Sequence, residues 1–332
     1  MPEDVKTVKE KRSLREVVRG LAEQRWFVNI LPIIFLVFLF ILFTAMTNGK
    51  FSNPRILKTV FEQALIVGTV ATGASFIYAS GNINLAMGAT TVLVATLAAL
   101  IYNATGSFLL MLVSAVCIAV VLMVISVLLS TIFNVRVMFV TIVMMTLLKA
   151  IQDSILGGGT LGVPYELVVS LDENNYSTIA FIAFFIACII LFHFTAIGRS
   201  LKMLGTNNEN AKQTGIVKSR FLVIAFVIAG IGAGLAAIMA IERAGSLSNS
   251  TLASLNNDVL LAIVLGGMSF FGGSKSFAYT GIVGALTVCV LNQGLIMIGV
   301  NTQIIQAVRG IIFLLLVMTA QQRPKGLPAS EG

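Results

Sequence analysis

Arg309 falls about midway along a long apolar stretch, with Gln303 and Gln306 at three-residue intervals before it on adjoining helix faces. A guanidinium left in hydrocarbon is costly, so it must face protein or water. Two chemistries fit that position. One is a structural ion pair, for which Asp258 and Glu62 are the candidate partners; the other is contact with a polar solute. Lys149 and Asp153, four residues apart on one helix face, offer the same choice between a local ion pair, the favoured reading, and the lining of an outer cavity. Asn82, Asn84, Asn292 and Gln293 are uncharged hydrogen-bonding groups near helix breaks or inside apolar runs. Such groups suit brief contacts with a hydroxylated solute that must also leave, and they suit helix-to-helix hydrogen bonds equally well.

Bond-making chemistry has little support. His193 has no Cys, Asp or Glu at metal-ligand spacing, which points to a packed or interfacial histidine and to no metal. Cys117, Cys188 and Cys289 each lie inside an apolar run and read as small packing residues, not a disulfide framework. No nucleophile triad, paired carboxylates or cofactor motif appears, so an enzyme is disfavoured. Lys275-Ser276 behind Gly272-Gly273 superficially resembles a phosphate loop, but no Gly immediately precedes the Lys, and nucleotide binding in this chain is rejected.

The elements that must position these residues are membrane helices. Hydrophobic residues make up 57% of the 332 and charged residues 11%, with a mean hydropathy of +0.97. Soluble domains carry about a quarter charged residues. From Gln63 to Val135 there is no charge at all, a run sufficient for roughly three crossings at about 20 residues each. The expected fold is an all-α integral membrane protein of about ten crossings. They are placed near Phe27–Met46, Phe61–Ala79, Leu85–Tyr102, Phe108–Ile132, Val137–Leu156, Thr178–Ala196, Phe221–Ile241, Asp258–Phe271, Phe277–Ile298 and Thr302–Ala320. The net charge of +8 reads as a topology signal, with no nucleic-acid partner implied. Seven Lys/Arg in the first 25 residues, five in the insert 197–220, and Arg323 and Lys325 in the tail place all three segments in the cytoplasm. The loop with Lys50, Arg55 and Lys58 dissents. The resulting organisation is a cytoplasmic amphipathic segment at 1–25, a membrane domain at 26–322 and a cytoplasmic tail at 323–332. In the first segment Ser13 and Glu16 form a capping pattern ahead of a helix expected to lie on membrane lipid, with Trp26 as its interfacial anchor.

Two kinds of interruption stand out. In the polar insert, Thr206 followed by Glu209 reads as a capping box, and Gly215 as a helix-closing glycine, so a helix of about two turns is expected over 207–214. With little to pack against in its own chain, it reads as a docking handle for a soluble partner. The other interruptions are Gly81 to Gly88 in the first half and Gly266-Gly267 to Gly272-Gly273 in the second. Five crossings per half would make the halves inverted, and helix breaks at matching places line a pathway or make tight inner turns.

At this point the chain resembles the permease subunits of ATP-binding-cassette importers for simple sugars, the ribose-type group of the ribose and branched-chain amino acid class. Gly205, Asn207, Ala211, Gly215 and Ile216 are similar to that family's Gly-x-Asn-x7-Gly-Ile segment, and Leu265 to Gly273 to its Leu-Gly-Gly-x-Ser-x-x-Gly-Gly. Asn82 to Gly88 is similar to its Ile-Asp-Leu-Ser-Val-Gly, and Val140-Thr141, Met145 and Lys149 fall where it has Val-Thr, Met and Arg. Asn84 stands in place of the usual Asp, Val143 and Ala150 in place of glycines, Val137-Met138 in place of a Pro-Phe start, and Asn210 in place of an Ala. The resemblance implies a type II importer permease fold with two protomers, identical or paralogous, around one path. It also implies an extracytoplasmic solute-binding protein and a separate ATPase subunit that holds ATP and Mg, with no cofactor in this chain. Gly205, Thr206, Asn207, Glu209, Ala211, Gly215 and Ile216 would then form the coupling segment. Asn82, Asn84, Asn292, Gln293, Gln306 and Arg309 are the candidate path residues, and Gly81, Gly88, Gly266, Gly267, Gly272 and Gly273 the structural breaks. An ion-coupled secondary transporter, or a related permease for nucleosides or branched-chain amino acids, is the alternative.

Overall fold

The structure, a computed structural model, describes residues 25–269, 272–273 and 276–320. The amphipathic helix expected before residue 25, the side chain of Trp26 and the tail at 323–332 lie outside what is described, as do Phe270, Phe271 and Lys275. In chain order the helices are α1 (Arg25–Met46), α2 (Pro54–Ala79), α3 (Met87–Thr105), α4 (Phe108–Ile132), α5 (Val137–Leu156), α6 (Tyr165–Glu173) and α7 (Tyr176–Ile189, extended by a π turn at Ile190–Phe194). They continue as α8 (Ala196–Thr206), α9 (Asn208–Gln213), α10 (Lys218–Ala244), α11 (Leu255–Leu265), α12 (Thr280–Met297) and α13 (Thr302–Ala320). Two three-residue strands, β1 (Thr160–Gly162) and β2 (Ser246–Ser248), pair antiparallel with Leu161 opposite Leu247.

Every expected crossing has a helix. Among the described residues seven helices are long and apolar enough to span a bilayer, and shorter apolar stretches are described in α1 (Ile30–Met46), α11 (Leu255–Leu265) and α13 (Gln303–Leu314). Helix starts follow local chemistry: α2 opens with Pro54 behind Asn53, whose side chain accepts from the Arg55 N–H at 3.0 Å. α6, α8 and the strand pair were not anticipated, because each is too short or too polar to carry a membrane-scale signal.

Burial separates the helices into two sets. α2 and α10 form the centre: 83% of the apolar window of α2 is buried, against 22% for α4. α10 packs on α2 and α4, and α12 on α2 and α11. Small residues on one face of α10 allow the close approach to α4. A Cβ on Gly230 would sit 2.7 Å from Val120 Cα, and one on Gly234 2.7 Å from Val116 Cα, so larger side chains would force the two helices apart. The outward apolar faces of α1, α4, α5 and α7 remain exposed, as lipid-facing surfaces must be.

The segment with Lys50, Arg55 and Lys58 lies on the same side as α6, opposite the insert. Lys58 Nζ reaches Asp172 at 3.2 Å and Glu62 at 3.6 Å, so part of its positive charge is neutralised where it stands.

Candidate translocation and coupling site

The insert is built differently from the pattern expected of it. α8 runs through Thr206, whose hydroxyl donates to the Lys202 carbonyl at 2.8 Å and so cannot cap the next helix. The cap is Asn207: its Oδ1 accepts from the Glu209 and Asn210 N–H groups at 2.9 and 3.2 Å. Glu209 pairs with Lys212 at 2.8 Å instead of reaching back to a capping-box partner. The helix is accordingly α9, Asn208–Gln213, one residue shorter at each end than expected. Gly215 at φ +80° closes it, with Ile216 N–H donating to the Ala211 carbonyl at 3.1 Å. Ala211 is fully buried and seats α9 on its own chain, while Glu209, Asn210, Lys212 and Gln213 remain exposed. The helix therefore has an intramolecular anchor as well as a free polar face. Asn207→Ala is expected to cost about 1 kcal/mol of local helix stability, seen as faster hydrogen exchange at the Glu209 and Asn210 amides. Unchanged exchange there would reject Asn207 as the cap.

Gly205 links the insert to the membrane body. A Cβ at this position would lie 2.2 Å from the Ala79 carbonyl oxygen and 2.6 Å from the Gly273 nitrogen. Gly273 itself, at φ +99°, donates its N–H to the same Ala79 carbonyl at 3.1 Å. The end of α8, the end of α2 and the Gly272-Gly273 turn thus meet backbone to backbone.

The two glycine-rich breaks are not equivalents of one another. Residues 80–86, led by Gly81 at φ +76°, precede α3; by element order their counterpart is the segment before α11, not Gly266 to Gly273 after it. The span expected over Asp258–Phe271 ends at Leu265, and Gly266-Gly267 turn the chain. A Cβ on Gly272 would meet Ala79 O and Gly81 N at 2.5 Å, so the second break closes over the first. The Asn256 side chain near the start of α11 accepts from the Gly88 and Ala89 N–H groups at the start of α3, at 2.6 and 3.2 Å. Asn256 was not singled out in the sequence; an Asn at the head of an apolar run carries no periodic or charge signal.

The polar candidates are distributed as follows. Asn84 is buried, its Oδ1 accepting from Ala86 N–H at 2.8 Å and its amide directed at Met123 Sδ, so both ends are occupied within the protomer. Leu85 N–H donates to Thr141 Oγ1 at 3.2 Å, which gives that threonine a role in holding the break against α5. Asn82 bonds back to Ser80 and borders a groove of about 590 Å³ between the α4–α5 turn and the insert, shared with Asn134, Arg136, Lys212 and Lys218. Arg309 pairs with Asp258, Nη1 to Oδ1 at 2.8 Å, and Ser254 donates to the other carboxylate oxygen at 2.8 Å. Of the two candidate partners the structure selects Asp258, and Glu62 lies against Lys58 instead. Asn292 is buried beside this pair without reaching hydrogen-bonding geometry. Gln293 is half-buried on α12, and Gln303 and Gln306 are exposed on α13.

The favoured Lys149–Asp153 ion pair does not form: among the described residues the only ion pairs are those of Lys58, Lys212 and Arg309. His193 stacks on Phe277 with 6.0 Å between ring centroids, and its Nδ1 lies 3.3 Å from the Ile189 carbonyl. Cys188 and Cys289 are buried as expected of packing residues, whereas Cys117 is exposed on α4.

Comparison with known proteins narrows the class. The Autoinducer 2 import system permease protein LsrD of Photorhabdus temperata is 35% identical over 141 residues, covering 41% of this chain and 42% of that protein. The probable ABC transporter permease protein YphD of Escherichia coli K12 is 31% identical over 163 residues, covering 49% and 46%. The match therefore spans less than half the length of these two relatives. The LsrD of Yersinia pseudotuberculosis serotype O:1b is 26% identical over 294 residues, 85% of this chain and 88% of the relative. No solved structure matches. The family model described as "Branched-chain amino acid transport system / permease component" matches residues 56–317, and with most of its length so matched the chain belongs to that permease family.

Proposed function

We propose that this chain is the membrane permease of an ATP-driven importer for a simple sugar or related hydroxylated solute delivered by an external binding protein. The observation that carries the reading is α9. It is a capped helix with one buried residue, Ala211, and an exposed face of Glu209, Asn210, Lys212 and Gln213, joined through Gly205 to the end of α2 and the Gly272-Gly273 turn. That geometry suits transmission of a rigid-body movement from a soluble subunit into the helix bundle. In this reading the insert, both termini and the groove beside Asn82 face the cytoplasm, in keeping with the excess of Lys and Arg there. A separate ATPase seats α9 and binds ATP and Mg. A second permease protomer, identical or paralogous, completes the path, and the membrane lipid meets the exposed apolar faces. The names of the relatives, import permeases for autoinducer 2, support a small oxygen-rich cargo.

Replacing residues 206–215 by a Gly/Ser linker is expected to abolish both copurification with the tandem-domain ATPase and uptake. Retention of both would overturn the coupling assignment. Binding of a panel of pentoses, hexoses, polyols, nucleosides and amino acids by the cognate binding protein identifies the cargo; a preference for amino acids would reject the hydroxylated-solute reading.

A further inference from the structure

Lys149 is exposed on α5, a helix long and apolar enough to span the membrane. It lies about 18 Å along the axis from Val137 and about 10 Å from Leu156, at 1.5 Å per residue. Side chains on a helix lean toward its N-terminus, here toward the membrane interior, so the ammonium is poorly directed for escape to the nearer surface. Among the described residues it has neither an ion-pair nor a hydrogen-bond partner. An unpaired ammonium facing hydrocarbon is costly, so something other than lipid must face it.

Its neighbours divide α5 by chemistry. Thr141, Met144, Leu148 and Gln152 form the buried stripe. Thr146, Lys149 and Asp153, at i, i+3 and i+7, share one outward flank, and Val143, Leu147 and Ile151 lie toward the other. Asp153 adds a second polar group, whose buried Oδ1 has no hydrogen bond among the described residues. A three-donor ammonium and an acceptor-only carboxylate one helical turn apart can each engage one of two adjoining hydroxyls, which both donate and accept.

We propose that the Thr146–Lys149–Asp153 flank lines a water-filled path in the half of the membrane remote from the insert, and that Lys149 and Asp153 contact adjoining hydroxyls of the solute. The contact rests on the importer reading above; the water lining does not. With exposed Cys117 replaced by alanine, Lys149→Cys and Thr146→Cys are expected to react with a charged methanethiosulfonate in membranes at least ten times faster than Leu147→Cys. Equal rates at the three positions would overturn the lining. In cells carrying the full importer, uptake of labelled pentoses, hexoses and polyols is then compared between variants. Lys149→Met is expected to lose at least ten-fold in uptake of whichever the parent carries, with ATPase copurification retained and Lys149→Arg recovering a substantial part. Parental uptake in Lys149→Met would overturn the contact. Absence of uptake of every solute by the parent would overturn the importer reading and the contact with it, leaving the labelling to decide the lining alone.

Discussion

Gly205→Ala is expected to cut uptake by at least about ten-fold while leaving the ATPase bound. The added methyl would meet the Ala79 carbonyl oxygen at 2.2 Å and the Gly273 nitrogen at 2.6 Å. Both are backbone atoms, so no rotamer change relieves the clash, and the end of α8 must move away from α2 and the glycine turn. Overpacking of this kind costs about 1–3 kcal/mol, small enough for the bundle to survive. The exposed face of α9 is untouched, so docking should persist while the link to the membrane helices loosens. Gly162→Ala is the control, because a Cβ there meets nothing within 4 Å. Uptake by Gly205→Ala equal to that of the control would show that the α8–α2 contact transmits nothing.

Loss of one partner from the Asp258–Arg309 pair is expected to be the most destabilising single change in the membrane region. The two side chains are only 3% and 11% exposed and lie 2.8 Å apart. Removing either leaves a buried charge uncompensated, at a cost of about 3–5 kcal/mol. α13 joins the rest of the chain through α11 and α12, so this pair is a principal tie holding it. Asp258→Leu and Arg309→Met singly should therefore lower the thermal unfolding midpoint in detergent sharply. The double replacement should recover much of the loss, because an apolar pair avoids the desolvation penalty. Equal midpoints for single and double variants would show that the charges do not act as a unit.

The limits of sequence reading are visible at particular residues. α4 and α5 were placed at their observed ends because a break of polar or turn residues interrupts an apolar run there, a purely local signal. The capping residue of α9 was misassigned by one position, since Thr206 and Asn207 are both good caps and the choice depends on how far α8 continues. Arg309 was recognised as having to face protein or water, but two carboxylates and a polar solute all satisfied the same rule. The pairing of glycine breaks went astray because glycine runs resemble one another in sequence, while topology sets their order.

By itself the sequence determined that this is a polytopic helical membrane protein, where its crossings lie, which polar groups are anomalous within them, and which family it resembles. These follow from free-energy costs paid residue by residue: desolvating a charge, leaving a backbone group unpaired, ending a helix. The tertiary structure decided which groups meet: Asp258 with Arg309, Asn256 with the start of α3, and Gly205 with the end of α2, while Lys149 has no ion-pair partner among the described residues. Contacts between residues 51 or 168 positions apart depend on how whole helices pack, and packing is a property of shapes in three dimensions that no local pattern carries.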